Sequence, residues 1–143
     1  HALYADLTAE TRLPVIANGD VLGGEFFRER AALFAGAAGV MIGRMAAVRP
    51  WIFAQWHRPE LAVDHAEVWN RLCEYILEDF PPDEALLRIK FVTAYFSRNF
   101  VFGHSLFAAI QSSPDLSAAR ERGRAFLAAD PAVTRHVSLG GIP

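Results

Sequence analysis

The sequence predicts an α/β segment followed by an all-α segment, and three observations support that expectation. Two short apolar runs, Pro14-Val15-Ile16-Ala17 and Val40-Met41-Ile42, flank a stretch whose apolar residues recur with helical spacing. Beyond Pro50 no strand pattern recurs, and the apolar residues follow a helical period. The change from one pattern to the other is abrupt, which marks a domain boundary near that proline.

Residues 2–11 are compatible with a helix. The first run, β-branched and short, ends in Asn18-Gly19-Asp20, a strong turn signal. Residues 25–35 follow as a helix: Phe26, Phe27, Ala31 and Phe34 are apolar, Arg28, Glu29 and Arg30 stand between them, and Gly36 is placed to cap the end. The second run stops at Gly43-Arg44. Strand, helix and strand within about 30 residues make a βαβ unit, whose strands pair in parallel with a right-handed crossover. Neither strand alternates apolar with polar residues, so both faces should be covered. Two strands alone leave open edges, and the unit reads as the end of a larger sheet that hides those edges by dimerising or rearranging when isolated.

Past Pro50, residues 51–56 read as a short helix and residues 66–79 as a longer one. Pro81-Pro82 breaks the pattern, and Pro82-Asp83-Glu84 starts a helix to about residue 100 with Leu87, Phe91, Tyr95 and Phe96 on its apolar side. Residues 104–110 continue as a shorter helix, and Asp115 or Ser117 caps a last one through Leu127. Residues 131–143 read as a frayed tail behind an antiparallel helical bundle.

A chain of 143 residues, 52% hydrophobic, is long and apolar enough to bury a core. No apolar run approaches the roughly 20 residues that span a bilayer, and no signal-like segment opens the chain, so a cytoplasmic location and no membrane partner are expected. The lone Cys73 lies in a helical pattern with no base beside it and reads as a buried structural thiol. The five histidines, His1, His57, His65, His104 and His136, lack metal-ligand spacing, and no metal site is expected. Charge is unevenly distributed: residues 64–84 hold seven acids against Arg71, and residues 88–124 hold six bases against Asp115 and Glu121. That asymmetry fits a polyanion on one face, or a solvated helix surface.

The strand ends carry the chemistry. In a parallel β/α barrel, ligands sit at the C-terminal ends of the strands, and the loops after the last two commonly hold a phosphate. Glycines at Gly19 and Gly43 let the backbone approach, N–H groups and a helix N-terminus supply partial positive charge, and Arg44 adds a charge-assisted contact. Asn-Gly is also the commonest tight-turn dipeptide, so spacing alone leaves a structural reading open.

Taken together, Pro14-Val15-Ile16-Ala17-Asn18-Gly19-Asp20, then Gly36-Ala37-Ala38-Gly39-Val40-Met41-Ile42-Gly43-Arg44, then Pro50-Trp51-Ile52-Phe53 resemble the consecutive signature of the tRNA-dihydrouridine synthase family. The strict match covers residues 13–53, and the helical remainder resembles the family's C-terminal domain in general character. The resemblance implies the last βαβ part of a TIM (β/α)8 barrel, residues 1–57, and a helical tRNA-binding domain, residues 58–143. It implies an FMN-dependent oxidoreductase that reduces uridine in tRNA to 5,6-dihydrouridine with NADPH as reductant. In that family the positions of Asn18, Gly19, Asp20, Gly43 and Arg44 line the flavin phosphate. The family's general-acid cysteine stands on an earlier barrel loop, which Cys73 does not match, so no catalytic residue is assigned and the chain by itself is expected to be inactive. The family usually has an acid at Ala38, where little effect is expected, and a small or amide residue at Arg49, which stands close to the phosphate loop.

For tRNA phosphates, Arg88, Lys90, Arg98, Arg120 and Arg124 are the expected contacts, the last two being one helical turn apart. Phe91, Tyr95, Phe96, Phe100 and Phe102 have helical spacing and are expected in the core rather than stacked on bases. Two other classes remain. One is another FMN- or phosphate-binding barrel oxidoreductase, resembling dihydroorotate dehydrogenases, against which the helical tail argues; the other is a non-catalytic helical RNA-binding or dimerising module.

Overall fold

The structure, a computed structural model, describes residues 3–19 and 21–140. Two compact units divide the chain, His1–Leu61 and Ala62–Pro143. The first holds α1 (Leu3–Thr11), β1 (Ile16–Asn18), α2 (Gly24–Glu29), β2 (Gly39–Met41) and α3 (Arg44–Val48). The second holds α4 (His65–Asp79), α5 (Pro82–Phe96), α6 (Gly103–Gln111) and α7 (Leu116–Ala128).

In the first unit β1 and β2 pair in parallel, with Ile16 opposite Gly39, Ala17 opposite Val40 and Asn18 opposite Met41. The pairing starts one position earlier through the Ala38 N–H, which donates to the Val15 carbonyl at 2.8 Å. Side chains alternate across a strand, so Ala17 and Val40 share one face and Ile16 and Met41 the other. Ala17 is fully buried, whereas Ile16 and Met41 are 56% and 50% exposed. The expectation that both faces are covered is therefore corrected: the face that carries Ala17 is buried there, and the described residues leave the other bare. Neither strand pairs with a third among the described residues.

The helix expected over residues 25–35 is two pieces. Arg30 leaves the helical region (φ −115°, ψ 23°), and a 3-10 turn, Ala31–Phe34, follows. Packing explains the break, since Phe27 gathers Phe34 (ring centroids 5.1 Å) and Trp56 (5.5 Å) around itself. Gly36 does not cap α2; it has φ +85°, and a Cβ there would lie 2.5 Å from the Ala5 Cα of α1. Only glycine combines that left-handed backbone with so close an approach. The helix expected over residues 51–56 shrinks to a 3-10 turn, Pro50–Ile52, that buries Ile52 beside Met45 and Val48.

The second unit is helical, and its core is built from Trp69, Cys73, Ile89, Phe96, Leu106 and Ile110. Asp64 caps α4 by accepting from the Ala66 and Glu67 N–H groups at 2.9 and 3.0 Å. Asp115 rather than Ser117 caps α7, accepting from Ala118 N–H at 2.8 Å. The aromatic row on α5 divides. Tyr95, Phe96 and Phe100 are buried and Phe96 stacks edge-on to Phe100 (5.5 Å), but Phe91, Phe102 and Leu87 are more than half exposed. The buried side of α5 is Ala85, Ile89, Thr93 and Phe96, a row of i, i+4 and i+3 steps. Thr93 lies in it at no polar cost because its hydroxyl donates to the Ile89 carbonyl at 2.6 Å.

The segment from residue 131 is not frayed. Val101 N–H donates to the Ala132 carbonyl (2.9 Å), Thr134 N–H donates to the Asn99 carbonyl (2.7 Å), and Phe100 and Val133 form an antiparallel bridge. Leu139 is buried. Residues 141–143 of the expected tail, and residue 2 of the expected first helix, lie outside the described residues.

Candidate functional site at the strand tips

The parallel register decides where the candidate residues stand. Asn18 is paired with Met41, so Gly19 follows one strand end and Gly43 follows the other at the same edge of the sheet. Asn18, Gly19, Gly43 and Arg44 are all exposed. A Cβ built on either Gly19 or Gly43 would meet nothing within 4 Å among the described residues beyond the chain neighbours, so the backbone there is open to a ligand. Behind Gly19 the chain turns tightly, the Val21 N–H donating to the Gly19 carbonyl at 2.8 Å, and Val21 is buried as the anchor of that turn. Asp20 lies outside the described residues.

Gly43 caps α3, its carbonyl accepting from the Ala46 N–H at 2.9 Å. That helix has five residues, so its aligned dipole is small and the expected help from a helix N-terminus is slight. Positive charge at this edge comes instead from Arg44, on the first residue of α3. Arg49 closes the same helix, its N–H donating to the Met45 carbonyl at 2.8 Å. The Arg49 side chain is half-buried, and burial pushes its pKa down from the ordinary guanidinium value. Ala38 is exposed and its N–H serves the strand pairing.

The five basic residues expected to meet tRNA do not form one constellation. Arg88 is exposed and lies over the Phe80 ring, 4.9 Å from its centroid, while Lys90 is half-buried and its carbonyl accepts from the Gln111 amide at 2.8 Å. Arg98 is a strut: its guanidinium donates to the carbonyls of Gly140 (3.1 Å) and Ser138 (3.4 Å). Arg120 and Arg124 are brought together as their spacing predicts, lining a small cleft of about 280 Å³ with Leu77, Leu116, Ser117 and Glu121. Asn70 holds Arg124 in place, its side-chain oxygen accepting from Nε at 2.8 Å. Arg122, between them, turns the other way and donates to the Ala109 carbonyl and to the Ser112 and Ser113 hydroxyls at 2.9 to 3.2 Å.

Cys73 is buried as expected, and that burial pushes its thiol up to about 11, so it is no nucleophile at neutral pH. Among the described residues no group of histidines, cysteines and carboxylates is arranged to hold a metal ion, and no helix is long and apolar enough to cross a membrane.

Comparison with known proteins is decisive at the level of family. The dihydrouridine synthase family model matches residues 4–102 of the 143, more than half of the chain, and runs from α1 through both strand tips into the helical unit. Among curated proteins none matches the chain significantly. The family is one of oxidoreductases, since dihydrouridine is uridine with its ring double bond reduced, and the match favours it over a dihydroorotate-dehydrogenase-like barrel. The chain belongs to the dihydrouridine synthase family.

Proposed function

We propose that the strand-tip edge is the phosphate cup of an FMN-dependent tRNA-dihydrouridine synthase that uses NADPH as reductant. In this reading residues 1–57 are the closing βαβ part of a TIM (β/α)8 barrel, and residues 58–143 are a helical domain that holds tRNA. The observation that carries the reading is the register, which puts Gly19 and the Gly43–Arg44 pair at one edge with open space over both glycines. The bare sheet face at Ile16 and Met41 supports the barrel, because further parallel strands would carry that face into an apolar interior.

The residues present suit a phosphomonoester. Its oxygens accept hydrogen bonds from backbone N–H groups that only glycine leaves accessible, and the Arg44 guanidinium offers a planar fork that matches phosphate. When bound, the flavin supplies the hydride that saturates the C5–C6 bond of uracil. The role of Asn18, Gly19, Asp20, Gly43 and Arg44 is to bind and orient, anchoring the phosphate so that the ring system is held at a fixed depth. They transfer no proton. The general acid is expected from a cysteine on another barrel loop, since Cys73 is buried and protonated. Arg120 and Arg124, which line one cleft, are the best placed tRNA phosphate contacts, and Arg88, Lys90 and Arg98 are separate, weaker candidates.

Replacing Gly19 or Gly43 by valine in the polypeptide that carries the whole barrel tests the cup. Either substitution places branched carbon atoms where the phosphate is to sit, so the purified protein should lose its flavin absorbance while keeping its circular dichroism. Retention of stoichiometric flavin by both variants would refute the assignment.

A further inference from the structure

A second, larger pocket lies wholly within the helical unit, at the C-terminal end of α5. Its volume is about 720 Å³, and Arg98, Phe100, Val101, His104, Phe107 and His136 are among the residues that line it. Phe100 is buried, Phe107 and Val101 are 39% and 56% exposed, and His104, on the second residue of α6, rests edge-on against Phe102 at 6.2 Å.

The second observation is electrostatic. No aspartate or glutamate occurs in residues 85–114 or in residues 131–143, the two segments that supply the whole lining. Those segments carry Arg88, Lys90, Arg98 and Arg135 besides the two pocket histidines. With Arg98 and two histidines in its lining and no carboxylate side chain among the lining residues, the pocket favours an anion, and the part-exposed phenyl ring of Phe107 favours a flat partner. One chemical group satisfies both, a nucleotide.

We propose that this pocket takes one unstacked nucleotide of an RNA, with the base on Phe107 and Val101 and the phosphate toward Arg98, His104 and His136. The assignment rests on RNA being the polyanion partner, and it adds a site separate from the strand tips and from the Arg120–Arg124 cleft. Arg98 keeps its place in the lining because its guanidinium donates to the Ser138 and Gly140 carbonyls. Single-stranded RNA is preferred over duplex, because only an unpaired base presents a free face.

The test is fluorescence anisotropy of the full 143-residue chain with a labelled hexauridylate and with an RNA duplex of the same length. Phe107→Ala should weaken hexauridylate binding about tenfold, the usual size of a lost base–aromatic stack, and Phe107→Trp should restore it. His136→Glu should weaken it further, and neither substitution should change duplex binding. Equal loss on both probes, or no loss on either, overturns the pocket. If the chain binds tRNA through Arg120 and Arg124 while the pocket variants bind hexauridylate like the parent, the pocket fails and the proposed function stands. If an acidic peptide displaces hexauridylate as well as unlabelled hexauridylate does, the pocket serves a protein and the nucleotide assignment is overturned.

Discussion

Gly123 has no special backbone angle, yet a Cβ built on it runs into the indole ring of Trp69. Alanine is the better helix former by about 1 kcal/mol, and overpacking a closed core costs about 1–3 kcal/mol. Sterics wins here because Trp69 is 1% exposed and its indole N–H is engaged with the Arg120 carbonyl. Gly123→Ala should therefore lower the urea midpoint, and an unchanged midpoint would show that the ring can give way. Cys73 makes a second residue-level prediction. Burial raises its thiol from 9.0 to about 11, with the charges of Arg120 and Arg124 partly opposing. A group held neutral in the fold contributes stability that is complete below about pH 9 and is lost as pH climbs toward about 11. The loss is on the order of 2 kcal/mol, and Cys73→Ala should flatten that part of the stability curve.

At the scale of elements, the C-terminal segment 131–140 behaves as an extra layer of the helical unit. It contributes the Val133 bridge, the Thr134 and Ala132 hydrogen bonds and buried Leu139. Removing residues 131–143 takes away the bridge to Phe100 and the Ser138 and Gly140 hydrogen bonds of Arg98, and should lower unfolding free energy by about 2–4 kcal/mol, read by denaturant titration. Helix α7 carries a further expectation at this scale. Replacing Arg120 and Arg124 by alanine should weaken tRNA binding and reduce its salt slope by about 1 for each phosphate that is no longer neutralised. Elements with strong punctuation were legible from sequence: the βαβ order, the Pro81-Pro82 break and the Asp115 cap. The inner face of α5 was not, because its buried row includes Ala85 and Thr93, which counting large apolar residues passes over in favour of Leu87 and Phe91. The break at Arg30 was equally hidden, since ring packing around Phe27 and not glycine or proline ends that helix. The tail misled for a related reason: Pro, Ala, Ser and Gly composition reads as disorder, while its order comes from backbone hydrogen bonds to Asn99 and Val101.

At the scale of the whole molecule, the two units differ in how completely each closes its own core. The helical unit buries Trp69, Phe96, Leu106 and Ile110 fully, so residues 62–143 expressed alone should unfold in one cooperative transition. The unit at residues 1–61 leaves Ile16 and Met41 bare and is expected to gain stability only from strands added beside β1 and β2. Of the candidate site, the motif at both strand tips was readable from sequence; their meeting at one edge needed the register. What no sequence pattern marked was the acid-free pocket near His104 and His136, whose lining comes from segments some thirty residues apart.

The central claim, that the two strand tips hold a phosphate, is tested most directly by comparing FMN with riboflavin, which lacks that group. In the polypeptide carrying the complete barrel, Arg44→Ala should raise the Kd for FMN about tenfold, the size of one charge-assisted hydrogen bond, and leave that for riboflavin unchanged. An equal rise for both flavins, or no rise for FMN, would contradict it.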